Sequence, residues 1–108
     1  MSELFLPVLA QFEEDNLWTA SVDRFRYKVV PDVENRALNC EGWEGPWAYE
    51  FSQVERRETF PLSEEGLEQL RSWVVQQAEE INARPRRTMA EDLARREAAL
   101  ARQREKED

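Results

Sequence analysis

The chain has 108 residues, 41% of them hydrophobic and 35% charged, with 15 Lys+Arg against 23 Asp+Glu, no histidine, one cysteine and a formal net charge of −8. That length fits one domain with a single modest core. A lone Cys40 without histidine excludes an intramolecular disulfide and the usual Cys/His zinc sites, and the acidic balance disfavours general nucleic-acid binding by the body of the protein.

The charge is unevenly placed. Residues 1–83 hold 7 basic and 17 acidic residues, a balance of −10, whereas residues 84–108 hold 8 and 6, a balance of +2. Sign asymmetry of this kind informs about binding surfaces more than about fold. It divides the chain into a globular unit over 1–83 and a basic hinge with a charged helix over 84–108.

The apolar run from Leu4 to Leu9 is short, contains Pro7 and follows Glu3 in place of a basic segment, so a signal peptide is not expected. No stretch approaches the ~20 apolar residues of a membrane span. A cytoplasmic location is the default, with no membrane association.

Val8, Ala10 and Phe12 alternate with polar positions, Glu13 to Asn16 reads as a polar turn, and Trp18, Ala20 and Val22 alternate again, which predicts an opening hairpin. The pattern then slips by one residue to Phe25, Tyr27 and Val29, implying a bulge or break near Asp23-Arg24. The spacing of Trp18, Val22, Phe25 and Val29 also fits one helical face. The density of Val, Tyr, Phe, Thr and Trp favours strand. Pro31-Asp32 begins a loop to about Asn35, and Ala37 to Cys40 reads as a short strand. Gly42-Trp43-Glu44-Gly45-Pro46-Trp47 punctuates as a turn, after which Trp47, Tyr49 and Phe51 share one strand face.

Ser63 is a good N-cap, Glu64 and Glu65 suit the positive end of a helix, and Leu62 with Leu67 forms a hydrophobic staple. Leu67, Leu70, Val74, Ala78 and Ile81 recur at helical spacing with Trp73 beside them, predicting about 20 residues of amphipathic helix to about Ala83. Pro85 stops it. Arg84, Arg86 and Arg87 make the hinge basic, and Thr88 with Glu91 fits the capping box of a second helix. Glu91 with Arg95 and Asp92 with Arg96 are spaced to pair along that helix. Its large apolar residues are Met89, Leu93 and Leu100, so it needs an external surface to be well ordered. The expected fold is α+β: an antiparallel meander of about four strands packed by one amphipathic helix, with a projecting charged C-terminal helix.

No signature of chemistry accompanies this pattern. Cys40 precedes Glu41 and has no imidazole to activate it, so an inert core thiol is expected. The carboxylate clusters lack calcium-loop spacing, and no phosphate-cradling glycine motif is present. Neither enzyme activity, a cofactor nor a metal is therefore expected.

The remaining reading is action by contact with a protein partner that has a basic surface. Its candidate contact residues are Trp43 and Trp47 beside the turn and the carboxylates of Glu13, Glu14, Asp15, Glu41, Glu44, Glu65, Glu68 and Glu79. Each has an ordinary structural alternative: a core or sheet-end indole, a solvated turn, a helix N-terminus. An acidic binder could occupy the basic surface of a nucleic-acid-handling protein, as small phage-encoded inhibitors of restriction or CRISPR systems do. Two alternatives are a homodimer assembled through Met89, Leu93 and Leu100, and nucleic-acid binding through the arginines of the tail.

Overall fold

The computed structural model describes residues 6–107; the start of the Leu4–Leu9 run and Asp108 lie outside the described residues. A four-stranded antiparallel sheet forms a plain meander of β1 (Trp18–Val22), β2 (Phe25–Asp32), β3 (Ala37–Glu44) and β4 (Arg56–Pro61), in that spatial order. Among the described residues three α-helices accompany it: α1 (Leu9–Glu13), α2 (Glu64–Asn82) and α3 (Met89–Glu107). The α+β architecture follows the sequence expectation, with different segments filling some of its places.

Alternation along β2 decides the layering. Phe25, Tyr27, Val29 and Pro31 are buried while the residues between them are only partly covered. Their partners across β3 are Glu44, Gly42, Cys40 and Leu38, so this sheet face is apolar except at Glu44, opposite Phe25. Against it lie Leu67, Leu70, Val74, Ala78 and Ile81 of α2, with Phe12 closing the core. Burial of each large aliphatic residue contributes about 1.5–3 kcal/mol before conformational entropy. Ser63 Oγ accepts from the Gly66 amide at 3.0 Å, and both Leu62 and Leu67 are buried, so the anticipated cap and staple are formed.

The first segment departs from expectation. Leu9–Glu13 is one helical turn and a half, not a strand, closed by Glu14 N–H donating to the Ala10 carbonyl at 3.1 Å. Leu9 and Phe12 sit three apart and both reach the core, a spacing that three alternating residues cannot distinguish from strand. The slip after Val22 is the hairpin turn itself: Asp23, at φ 57°, and Arg24 join β1 to β2. The helical alternative for Trp18–Val29 does not form.

Gly42 and Trp43 also differ, since they continue β3 instead of opening a turn. A Cβ at Gly42 would stand 2.6 Å from the Phe25 ring, so this glycine makes room for an aromatic neighbour. Trp47–Phe51 is not a strand either. The outer edge of β3 is taken by β4, and the segment instead makes a single 3-10 turn at Tyr49–Phe51 lying over Trp43. The fourth strand, Arg56–Pro61, has a mostly exposed, charged sequence suited to a sheet edge, where Pro and charge discourage further pairing.

The C-terminal helix extends from the body but is docked on it. A radius of gyration of 14.9 Å exceeds the ~13 Å of a compact chain this long. Ala99 is buried, Trp47 Nε1 donates to the Asp92 carbonyl at 2.7 Å, Gln103 donates to the Glu50 carbonyl, and the Arg96 guanidinium lies over the rings of Phe51 (4.9 Å) and Trp47 (5.7 Å). The docked stripe is thus Asp92, Arg96, Ala99 and Gln103, positions that share a helical face. The expected local pairs are displaced: Arg95 reaches Glu55 at 3.1 Å instead of Glu91, and Arg96 turns to the aromatic rings instead of Asp92.

Candidate functional site

The two ends of β2, roughly 23 Å apart by strand rise, carry opposite charge. At the Asp32 end, Glu13, Glu14, Asp15, Asp32 and Glu34 surround an open concavity of about 750 Å³ that also includes Val30 and Val33. Two tight local structures place these carboxylates. Asp15, at φ 68°, ends α1, and Asp32 accepts from Asn35 through both oxygens, at 3.2 Å from the amide and 2.8 Å from the side chain. Those hydrogen bonds hold the Asp32 carboxyl below its ordinary pKa, so it is ionised at neutral pH. Arg36 is the cation beside the group, 3.3 Å from Glu13 and donating at 3.0 Å to the Leu62 carbonyl ahead of α2. Both partners of the Arg36–Glu13 pair are exposed, so it neutralises little.

At the Phe25 end the arginines gather. Arg24 Nη2 donates to the Asn82 and Arg84 carbonyls at 2.7 and 2.5 Å, so a cation satisfies the last carbonyl of α2 and one of the hinge. Asn82 returns the contact: its Oδ1 accepts from the amides of Arg24 and Phe25 at 3.0 and 3.1 Å, and its Nδ2 donates to the Val22 carbonyl at 3.0 Å. The α2 C-terminus and the β1–β2 turn are therefore locked together.

Inside this junction lies Glu44, only 3% exposed. Arg24 Nη1 is 3.2 Å from its Oε2; Arg84 Nη1 and Arg87 Nη1 lie 3.1 and 2.7 Å from its Oε1, the last in ion contact without hydrogen-bond alignment. Glu55 stands beside it, taking Arg84 at 2.7 Å, Arg95 at 3.1 Å and the Glu44 amide at 3.1 Å. Burial pushes the Glu55 carboxyl up, but the Arg84 hydrogen bond, the Glu44 amide and the two guanidinium charges outweigh it, leaving it below the ordinary value. Arg84 is raised, first by its hydrogen bond to Glu55. The +2 tail and the −10 body thus meet in a network of two carboxylates and four guanidinium groups.

The anticipated contact residues fall into four sets. Glu13, Glu14 and Asp15 join the acidic concavity, and the sequence reading missed Asp32 and Glu34 beside them because a tight turn, not chain proximity, brings them in. Glu65, Glu68 and Glu79 are exposed along α2, with Glu68 3.7 Å from Arg71. Glu41 is half-buried, accepting from the Tyr49 hydroxyl at 3.2 Å and 3.4 Å from Arg57. Glu44, Trp43 and Trp47 serve the fold. Glu44 is enclosed by arginines and adds nothing to an acidic exterior. Trp43 is 3% exposed, with its indole N–H on the Trp47 carbonyl at 2.9 Å, and the Trp47 N–H anchors α3. Of the helical apolar residues, Met89 (69%) and Leu93 (45%) are exposed, and Leu100 is half-buried. Arg84, Arg87 and Arg95 are held by Glu44 and Glu55, which removes them from any outward track.

Cys40 is 2% exposed, and burial, reinforced by the Glu58 charge, pushes its thiol up to about 12. It is not a nucleophile at neutral pH. Among the described residues no group of three or more Cys, Asp or Glu side chains is placed to hold a metal ion, and no helix is long and apolar enough to cross a membrane. Comparison with protein-family models, with curated proteins and with solved structures finds no match to this chain.

Proposed function

We propose that this protein acts without catalysis, by presenting the acidic pole around Glu13, Glu14, Asp15, Asp32 and Glu34 to a basic surface of a protein partner. The observation that carries the reading is the clustering of five carboxylates around one concavity, with Arg36 as the neighbouring cation. Such a field attracts a Lys/Arg array and repels polyanions. The partner that fits is a protein whose basic array serves a nucleic acid, and occupying that array would make this chain an inhibitor of the anti-restriction or anti-CRISPR kind.

The test compares immobilised wild-type protein with a Glu14→Lys/Asp15→Lys/Glu34→Lys variant as bait. A partner held at ~50 mM salt, released by ~0.5 M and not held by the variant is the expected result, because exposed charges are screened beyond a few ångströms at high salt. Retention at high salt, equal retention by the variant, or no retention by the wild type overturns the proposal.

A second reading rests on the exposure of Met89 and Leu93: a homodimer joined through the outer flank of α3. Light scattering on the full chain and on Leu93→Glu discriminates. A dimer that the substitution converts to a monomer supports it, and a wild-type monomer removes it.

A further inference from the structure

Between the β1–β2 turn and the hinge lies a cleft of about 270 Å³, lined by Arg24, Arg26, Arg86 and Arg87 together with Asp23, Glu44 and Asp92. In a chain of charge −8, four guanidinium groups stand against three carboxylates around this cavity. Glu44 serves Arg24, Arg84 and Arg87 together, one carboxylate to three guanidinium groups.

Among the described residues, two of the lining arginines pair with no carboxylate. Arg26 Nε is buried and has no hydrogen-bond acceptor, and it is held against the chain at Gly45, where a Cβ would stand 2.6 Å from it. Arg86 is exposed at the rim and none of the ion pairs or hydrogen bonds of the described residues involves it. A buried guanidinium nitrogen without an acceptor is costly, and an anion beside the same fork offsets that cost. Arg87 Nη1, 2.7 Å from Glu44 but poorly aligned to it, has donor capacity left as well.

We propose that this cleft binds a phosphate dianion, free or as a small phosphomonoester, between Arg26, Arg86 and Arg87. Forked guanidinium donors match the oxygen spacing of phosphate, and a dianion balances several neighbouring cations better than a carboxylate does. The cleft is smaller than the ~300–1,000 Å³ of sites for drug-sized ligands, which suits a phosphoryl group with little attached. The site is independent of the acidic pole at the other end of the sheet, so neither reading depends on the other.

The experiment is an NMR titration of the full chain, following the Arg26 Nε–H and the Gly45 amide, with inorganic phosphate, adenosine monophosphate and acetate as probes. Saturable movement of both resonances with phosphate, absent with acetate, is expected. Tighter binding of the nucleotide than of phosphate would identify a phosphomonoester as the natural form, and the reverse would identify the free ion. Arg86→Ala, which disturbs no internal contact, should weaken binding by about tenfold or more, as for loss of a hydrogen bond to a charged group. Arg102→Ala, an exposed change in α3, should leave it unchanged. Unmoved Arg26 and Gly45 resonances, an equal response to acetate, or full binding by Arg86→Ala overturns the proposal.

Discussion

Arg84 Nη1 lies 2.7 Å from Glu55 Oε1, so the first residue of the basic hinge is fixed to the loop that leads into β4. The same nitrogen is 3.1 Å from Glu44, and through it the tail that carries the positive charge completes a buried site in the acidic body. Substituting Glu44 by Gln would leave Arg24, Arg84 and Arg87 crowded without their shared anion. The expected cost is about 3 kcal/mol, the low end for a broken buried pair, because the arginines keep some solvent contact. Urea unfolding of the variant measures it; a loss under ~1 kcal/mol would show that the network is screened like a surface pair.

Acid should loosen the hinge. The folded Glu55 carboxyl lies below its ordinary pKa, so its contribution is complete above the usual carboxylate value and is lost as pH falls through the folded one. Asp32 and Glu91 are also lowered, by hydrogen bonds from Asn35 and from Thr88, and add to the same acid-side loss. Glu55→Gln should therefore lower stability at neutral pH and flatten the decline between about pH 5 and 3. Thermal unfolding of both proteins across that range reads the difference, and parallel curves would refute the assignment.

Asn82 offers a sharper test of the junction. Its side chain satisfies two amides and one carbonyl of the β1–β2 turn. Asn82→Ala leaves the amides of Arg24 and Phe25 without their acceptor, at a cost of about 2–3 kcal/mol. Faster hydrogen exchange confined to Arg24 and Phe25 is the local signature, and unchanged exchange there would mean that solvent replaces the side chain.

The helix α2 was fully legible because cap, staple and apolar stripe are all local signals that agree. The strands were legible where one face is buried, as from Phe25 to Val29. They were not at β4, whose charges mark an edge, nor at Trp47–Phe51, whose aromatic alternation covers Trp43 in a 3-10 turn. Opposite charges of body and tail were plain from composition. That Glu44 is the meeting point was not, because its flanks in sequence give no sign that β3 carries it into the α2–hinge junction. The phosphate cleft has the same character: Arg26, Arg86 and Arg87 belong to distant segments that only the fold brings to one cavity.

Cys40 should be chemically silent in the native state. It is packed at the centre of β3 between the sheet and α2, and with its thiol pushed up to about 12 the thiolate is on the order of one part in ten thousand at pH 8. Labelling with iodoacetamide should therefore wait for unfolding of the core, with a rate set by the opening equilibrium and not by reagent pH in the range from 7 to 9 after correction for the unfolded thiol. Glu58→Gln, across the β3–β4 pair, should change that little, since burial is the larger cause. Rapid labelling of folded protein would mean that Cys40 is reachable without global opening, and would reopen thiol chemistry as part of what this molecule does.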